Sequence, residues 1–346
     1  MSKEKPTKTK RRWTKRLLFA CLFIVLCLIA GELFARFYVG LGDPPLSIAD
    51  PKIEYMFKPS SSYWRFGNYV HYNAYSMRSE NFPKHKSKPN ERRVMLIGDS
   101  IINGGNLTDQ SELATKRLEK QLSHDLHCPV TVGNISAGSW GPPNEDAYVK
   151  RFGFFDADVV VIVLNSLDAS DVPTFKPLVG VNPNFPAHKP YSALWEGITR
   201  YLPRYLNLSR FGEQAHPAPE PGIDPKNVKE SMHALRDLIA RARKSGAKVF
   251  VAQYLTREEM KGKKLPGYAI IHKTIDKTKA TRLTLGPTFI ANVKHGGHPY
   301  RGPIHPNALG QKLIAKALLK PIERALKNLP AQNTHPTTAA STQPHQ

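Results

Sequence analysis

Cysteine is scarce in this 346-residue sequence, which contains three. Cys21 and Cys27 lie in an apolar run near the N-terminus, and Cys128 stands alone in the rest of the chain. This placement argues against a disulfide framework, and Cys128 is expected to be a buried thiol rather than a nucleophile. The length allows one large domain with appendages.

Metal-ligand spacing is missing as well. His295 and His298 flank two glycines, but no Cys, Asp or further His stands at ligand spacing around them. Because glycine-flanked loop histidines are usually solvated, we predict neither a metal nor a cofactor. No nucleic-acid-binding module is recognisable, so nucleic acid is not an expected partner.

Acidic residues are few: 28 Asp and Glu stand against 50 Lys and Arg, and the formal net charge is +22. Part of the excess lies in residues 1–16, which carry eight Lys or Arg and one Glu. The remainder would suit an anionic substrate or an anionic membrane surface, although such an excess more often marks a solvated face.

An apolar run follows the basic tail. Residues 17–30 carry no polar side chain apart from cysteine, and the chain stays mainly apolar to Leu41 around Glu32 and Arg36. The unbroken part is shorter than the roughly 20 residues of a bilayer span, so a cleaved signal peptide is the alternative. No small-x-small cleavage site follows at the right distance, and the positive flank favours a cytoplasmic N-terminus. We therefore predict an uncleaved signal anchor at 17–41 in the cytoplasmic membrane, with the main domain outside the cytoplasm.

The remaining chain divides into three parts, the second of which carries an insertion. Residues 42–90 are predicted to connect anchor and domain and to contain a strand pair, 91–329 form the domain, 170–225 are an insertion within it, and 330–346 are predicted to be disordered. Strands and helices alternate in the domain, which indicates a parallel sheet with right-handed crossovers. The predicted strands are 94–97, 130–132, 159–164, 249–254 and 284–289, and the predicted helices are 113–126, 146–155, 229–244 and 307–319.

Two short motifs carry candidate chemistry. Gly98, Asp99 and Ser100 directly follow the apolar run 94–97, which is typical of a strand buried in a parallel sheet. Ser100 is thereby placed at the carboxyl end of a strand, where open α/β sheets carry their sites. The alternative is an ordinary turn that caps a helix.

The second motif is Gly302-Pro303-Ile304-His305-Pro306-Asn307, just before the last predicted helix. A serine hydroxyl is a weak nucleophile until a base takes its proton, and histidine is suited to that role near neutral pH. His305 is therefore the candidate base for Ser100, and a helix-capping or core histidine is the alternative.

Together these motifs resemble the SGNH, or GDSL-type, serine hydrolases over roughly residues 92–326. The resemblance implies a three-layer α/β/α sandwich around a flavodoxin-like parallel sheet, here preceded by one transmembrane helix. It also implies the activity of an esterase, lipase, carbohydrate deacetylase or acyltransferase, with Ser100 as nucleophile and His305 as base.

The same resemblance predicts donors for the oxyanion of the reaction. The first is the backbone N–H of Ser100, and the second is a glycine N–H after the second strand, where Gly138 and Ser139 stand. The third is an asparagine in a Gly-x-Asn-Asp block after the third strand. Leu167 occupies that position here, and Asn165 is the nearest substitute.

The acid that orients the histidine in this family usually lies three residues before it, where this chain has Gly302. Similar membrane-tethered bacterial proteins act on O-acetyl groups of cell-surface or secreted polysaccharides, which is the substrate class expected here. The alternative is a catalytically degenerate domain that binds a glycan or a partner in polysaccharide synthesis or export.

Overall fold

A five-stranded parallel sheet forms the centre of the protein. The computed structural model describes residues 8–88, 90–202 and 223–329. The strands are β1 (Ser47–Asp50), β2 (Glu54–Phe57), β3 (Ser61–Arg65), β4 (Asn68–Tyr72), β5 (Arg92–Gly98), β6 (Val130–Ser136), β7 (Val159–Leu164), β8 (Lys248–Gln253), β9 (Thr281–Thr284), β10 (Tyr300–Arg301) and β11 (His305–Pro306). The α-helices are α1 (Lys8–Leu33), α2 (Ser100–Asn103), α3 (Ala114–Leu126), α4 (Pro142–Phe152), α5 (Ala193–Glu196), α6 (Pro225–Lys244), α7 (Pro266–Thr278), α8 (Gly286–Lys294) and α9 (Ala308–Lys327).

The strand order of the central sheet is β6-β5-β7-β8-β9, and every neighbouring pair is parallel. Counted along the chain, this is the order 2-1-3-4-5 of flavodoxin-like sheets. β5 lies between β6 and β7, so that Val94 faces Val132 on one side and Val159 on the other. The predicted fold class is confirmed.

Helices cover both faces of the sheet because alternate strand residues point to opposite sides. Met95 and Ile97 of β5 pack with the apolar faces of α4, α6 and α7. Val94 and Leu96 pack instead with α3, α8 and α9. The result is the three-layer α/β/α sandwich that the motif resemblance implied.

One predicted strand is wrong. Residues 284–289 do not form a strand: β9 ends at Thr284, and α8 begins at Gly286 with Pro287 in its first turn. Proline lacks an N–H and fits the first turn of a helix, where that donor would have no partner. The helix α7 was not predicted. The closing helix α9 is longer than predicted, since it continues past Pro321 to Lys327.

The segment before the domain contains two antiparallel hairpins. The strand pair was predicted around 65–73 and 76–79, but residues 76–79 form no strand, and β4 pairs instead with β3, which precedes it. The hairpin of β1 and β2 was not predicted. The N–H of Tyr69 in β4 donates to Asp109 Oδ2 at 2.7 Å, so the β3–β4 hairpin lies against the loop that follows α2.

One described helix, near the N-terminus, is long and apolar enough to cross a membrane: it runs from Arg12 to Val39 and includes a π-helical turn at Phe34–Val39. At 1.5 Å per residue its 28 residues measure about 42 Å, against about 30 Å for the hydrocarbon core of a bilayer. The predicted disordered tail at 330–346, the start of the basic tail at 1–7 and residues 203–222 of the predicted insertion lie outside the described residues.

Candidate active site

Ser100 is the first residue of α2, two positions after β5 ends at Gly98. A side chain at Gly98 would bring its Cβ within 2.9 Å of the carbonyl oxygen of Val163, so the close approach of β5 and β7 requires glycine there. Asp99 caps the short helix, since its Oδ1 accepts a hydrogen bond from the N–H of Ile101 at 2.8 Å. The tight turn places the half-buried Ser100 hydroxyl at the carboxyl edge of the sheet.

His305 meets Ser100 across about 200 residues of sequence. Its Nε2 lies 3.0 Å from Ser100 Oγ, within hydrogen-bond distance. His305 belongs to β11, which pairs with β10, and Asn307 caps α9 directly afterwards. The structure thus brings together the two residues that the sequence motifs singled out.

Gln311 holds the two motifs in register. It lies buried on α9, where its Nε2 donates to the carbonyl of Ile101 at 2.7 Å and its Oε1 accepts from the N–H of Ala114 at 3.0 Å. The helix that follows His305 is therefore bonded directly to the helix that begins at Ser100.

The second ring nitrogen of His305 has no hydrogen-bond partner among the described residues. Gly302, where an orienting acid would stand, has a φ of +67°, and a Cβ there would meet no atom within 4 Å. Desolvation lowers the pKa of His305 below its usual value, and the positive charge of Arg301 lowers it further. The neutral imidazole, which can accept the Ser100 proton, is therefore the favoured form.

Backbone N–H groups are available beside Ser100. Gly98 of β5 faces Ser136 of β6, so the residues just after each strand end share the same edge of the sheet. Within the described residues, no hydrogen bond uses the N–H of Ser100, Gly138 or Ser139. The Gly138 carbonyl accepts from the Tyr55 hydroxyl at 2.5 Å. Ser139 has a φ of +59°, a left-handed conformation that favours the glycine usual at this position.

Asn165 is placed differently from what an oxyanion donor needs. Its Nδ2 donates to Asp99 Oδ2 at 3.1 Å and to Asp168 Oδ2 at 3.0 Å. Both N–H bonds of the amide are used inside the protein, so neither is free for an oxyanion in this arrangement. Leu167, with 36% of its surface exposed, offers no donor from its side chain.

Four carboxyl groups, those of Asp99, Glu145, Asp168 and Asp171, interact with one another; the first three are buried and Asp171 is partly buried. Burial raises the pKa of Asp99 to about 7, helped by the charge of Asp171. Burial also raises the pKa of Asp171 to about 7, helped by Glu54. The pKa values of Glu145 and Asp168 lie well above their usual range for the same reason, burial followed by neighbouring carboxyl charges.

No cation among the described residues pairs with these four groups, and Glu145 Oε2 is buried without a hydrogen-bond partner. The described part of the chain also contains no group of three His, Cys, Asp or Glu side chains arranged to hold a metal ion. Burial and neighbouring carboxyl charges thus shift each of these acids towards its protonated form. Sequence reasoning missed it because only the fold brings positions 99, 145, 168 and 171 together.

No protein-family model matches the chain, and no curated protein matches it in sequence. Among solved structures it is similar to LAE5, an alpha/beta hydrolase enzyme from the metagenome of Lake Arreo in Spain, with 14% identity, 68% of this chain and 95% of that chain covered and a TM-score of 0.43. A catalytic mutant of Axe2, an acetylxylan esterase from Geobacillus stearothermophilus, gives 12% identity, 70% and 97% coverage and a TM-score of 0.42. For a two-domain esterase active on acetylated mannans, the identity is 11%, the match covers 68% of this chain and 50% of that chain, and the TM-score is 0.44. At these values, function must be argued from the side chains of this chain.

Proposed function

We propose that the protein is a serine esterase or acyltransferase of the SGNH type that works through an acyl-Ser100 intermediate. The contact of 3.0 Å between His305 Nε2 and Ser100 Oγ carries this proposal. It supplies a nucleophile and a base in hydrogen-bond reach at the carboxyl edge of a flavodoxin-like sheet.

In the proposed reaction, Ser100 Oγ attacks the ester carbonyl carbon while His305 Nε2 takes the hydroxyl proton. The oxyanion forms beside the N–H of Ser100, with the N–H groups of Gly138 and Ser139 as further candidates. Collapse of the tetrahedral intermediate breaks the bond to the alcohol, which leaves with the proton from His305. Water or an acceptor hydroxyl then attacks the acyl-serine by the same steps in reverse.

The apolar helix at residues 12–39 supports a membrane-tethered enzyme, with one span, a cytoplasmic N-terminus and the domain outside the cytoplasm. The substrate that fits this placement is an O-acylated, chiefly O-acetylated, cell-surface or secreted polysaccharide. Components of polysaccharide synthesis are the corresponding partners. This part of the proposal rests on the motif resemblance to tethered SGNH proteins.

A second candidate function is a non-catalytic one, in which a degenerate SGNH domain binds a glycan or a synthesis partner. It is favoured by the second nitrogen of His305, which has no hydrogen-bond partner in the described part of the chain, and by the amide of Asn165, which donates to two carboxyl groups. A histidine without its orienting acid can lose up to about 10⁴ in turnover.

Labelling of the full-length protein in micelles with a fluorophosphonate probe tests the proposal, followed by acetate release from an activated aryl acetate. We expect labelling and slow turnover in the parent, and a loss of both by about 10³-fold or more in Ser100→Ala. Ser245→Ala, an exposed serine at the end of α6, is the matched control and should behave as the parent. Absence of labelling in a folded parent that still binds glycan would support the second candidate instead.

A further inference from the structure

Arg301 lies beside the proposed catalytic pair. It belongs to β10 and stands directly opposite His305 in the two-residue ladder with β11. Directly opposed residues of an antiparallel pair project on the same face, with Cβ atoms about 5 Å apart. The guanidinium therefore shares the face of this ribbon from which His305 reaches Ser100.

The guanidinium has little compensation for its charge. Its Nη2 donates to the carbonyl of Leu107 at 2.5 Å, and no other hydrogen bond of the side chain is present among the described residues. Burial lowers the pKa of Arg301, and no carboxylate acts against that effect. Arginine still remains protonated at any physiological pH. A half-buried cation with no counter-ion among the described residues thus lies at the site.

Of three fully buried arginines, Arg78 is satisfied by amide and carbonyl oxygens, whereas the other two have a carboxylate partner. Arg65 pairs with Glu196 at 2.5 Å, and Arg93 pairs with Glu91 at 2.7 Å. The single hydrogen bond from Arg301 to the Leu107 carbonyl attaches the 105–109 loop to β10. An uncharged donor would make the same attachment, so the attachment does not explain the positive charge. Among the described residues, most donors of the Arg301 guanidinium thus have no partner, and they lie beside the proposed catalytic pair, where an anionic group of the substrate can bind them.

We propose that Arg301 binds an anionic group of the substrate, so that the enzyme selects acyl esters on negatively charged glycans. The inference rests on the proposed function and names the substrate class of the same site. The anion is a carboxylate, as on a uronate ring, or a phosphate, since a guanidinium binds both through paired hydrogen bonds.

A bound anion would have a second effect at the site. It would cancel the field that Arg301 exerts on His305 and so make the imidazole more basic when substrate is present. The substrate would then supply the negative charge that this chain lacks at Gly302. Neutral esters would react without that assistance.

A matched pair of small esters tests the selectivity: meta-acetoxybenzoate, which is anionic, and its neutral methyl ester. We expect Arg301→Gln to lower the ratio of kcat/KM for the anionic ester to kcat/KM for the neutral ester by about tenfold. Arg301→Lys should keep part of the preference. Arg257→Gln is the control. Arg257 is an exposed arginine near the site, and its backbone N–H donates to the carbonyl of Pro303, two residues after Arg301.

A binding measurement separates this inference from the catalytic proposal. Titration calorimetry of the full chain with an oligogalacturonate, a neutral galactan oligosaccharide and inorganic phosphate tests anion binding without turnover. If the parent binds an anion and Arg301→Gln does not, the inference is supported even if Ser100 proves inert. The anion whose binding falls more in the variant, oligogalacturonate or phosphate, shows whether the substrate group is a carboxylate or a phosphate. An unchanged ester ratio together with unchanged anion binding in Arg301→Gln overturns it.

Discussion

Charges are compensated at the junction between the N-terminal helix and the domain, and they are left uncompensated around Ser100. At the junction, Glu32 pairs with Arg36 at 2.6 Å and accepts the N–H groups of Ala193 and Leu194 at 3.0 and 2.9 Å. The buried pair Arg65 and Glu196 lies alongside, and the N–H of Gly42 donates to Glu196 at 2.7 Å.

Around Ser100, by contrast, four carboxyl groups lie together without a cation, and Arg301 lies without an anion among the described residues. Carboxyl groups buried beside one another ionise only at a cost in stability, so a fold selected for stability alone would pair or remove them. The junction is built as structure, whereas the surroundings of Ser100 have the perturbed titrations that are typical of functional sites.

Breaking the junction should have the largest effect. Arg65 and Glu196 are 0% and 6% exposed, so Glu196→Ala leaves a buried guanidinium without its partner and should lower the free energy of unfolding by about 3–5 kcal/mol. Unfolding of the full chain in micelles by guanidinium chloride measures this change in the free energy of unfolding.

Two controls identify the cause of that loss. Arg200→Ala removes a weaker partner of Glu196, 3.5 Å away and partly exposed, and should cost about 1 kcal/mol or less. Replacement of both buried partners, Arg65→Met with Glu196→Leu, should recover most of the stability, because no charge remains to be buried. A loss near 1 kcal/mol in Glu196→Ala would show that the junction is not held by this pair.

The carboxyl cluster should make stability depend on pH in the direction opposite to that of ordinary salt-bridged acids. The folded-state pKa of Asp171, about 7, lies above its unfolded value of 3.8, so its contribution is complete below about pH 4 and is lost as the pH rises towards 7. Each such group lowers the free energy of unfolding by up to about 1.4 kcal/mol per pH unit in that window.

Asp171→Asn cannot ionise and should remove one such contribution. We expect the variant to match the parent near pH 4 and to exceed it in stability near pH 7, as measured by unfolding at a series of pH values. Glu80→Gln is the control and should leave the profile unchanged, because Glu80 is exposed and its carboxylate has no hydrogen bond or ion pair among the described residues. A parallel shift of the Asp171→Asn profile at every pH would contradict the assigned titration.

Parts of the molecule differ in how far the sequence predicts them. The strands β5, β7 and β8 were predictable because buried parallel strands are short apolar runs, and Ser100 and His305 because their motifs adjoin a strand and a helix. The edge strand β9 was misplaced, since Thr281–Thr284 carries no apolar run and the apolar residues that follow belong to α8. The carboxyl cluster and the surroundings of Arg301 depend on contacts between distant segments, which no local pattern encodes.

The smallest expected effect is a gain of activity on adding the missing acid at position 302. Gly302→Asp would place a carboxylate three residues before His305, where it can act against the field of Arg301 and stabilise the imidazolium formed in the reaction. The left-handed φ of +67° is strained for most side chains, but aspartate and asparagine tolerate it best, and no atom lies within 4 Å of the new Cβ.

Gly302→Asn is therefore the matched control, because it shares the shape and the backbone strain and lacks the charge. Relative to it, Gly302→Asp should raise turnover of a neutral aryl acetate about tenfold and move the basic pKa of the pH–rate profile upward. If Arg301 binds the substrate anion, the same carboxylate should compete with it, and the preference for meta-acetoxybenzoate over its methyl ester should fall. Equal turnover and equal preference in the two variants would mean that the charge at position 302 does not reach His305.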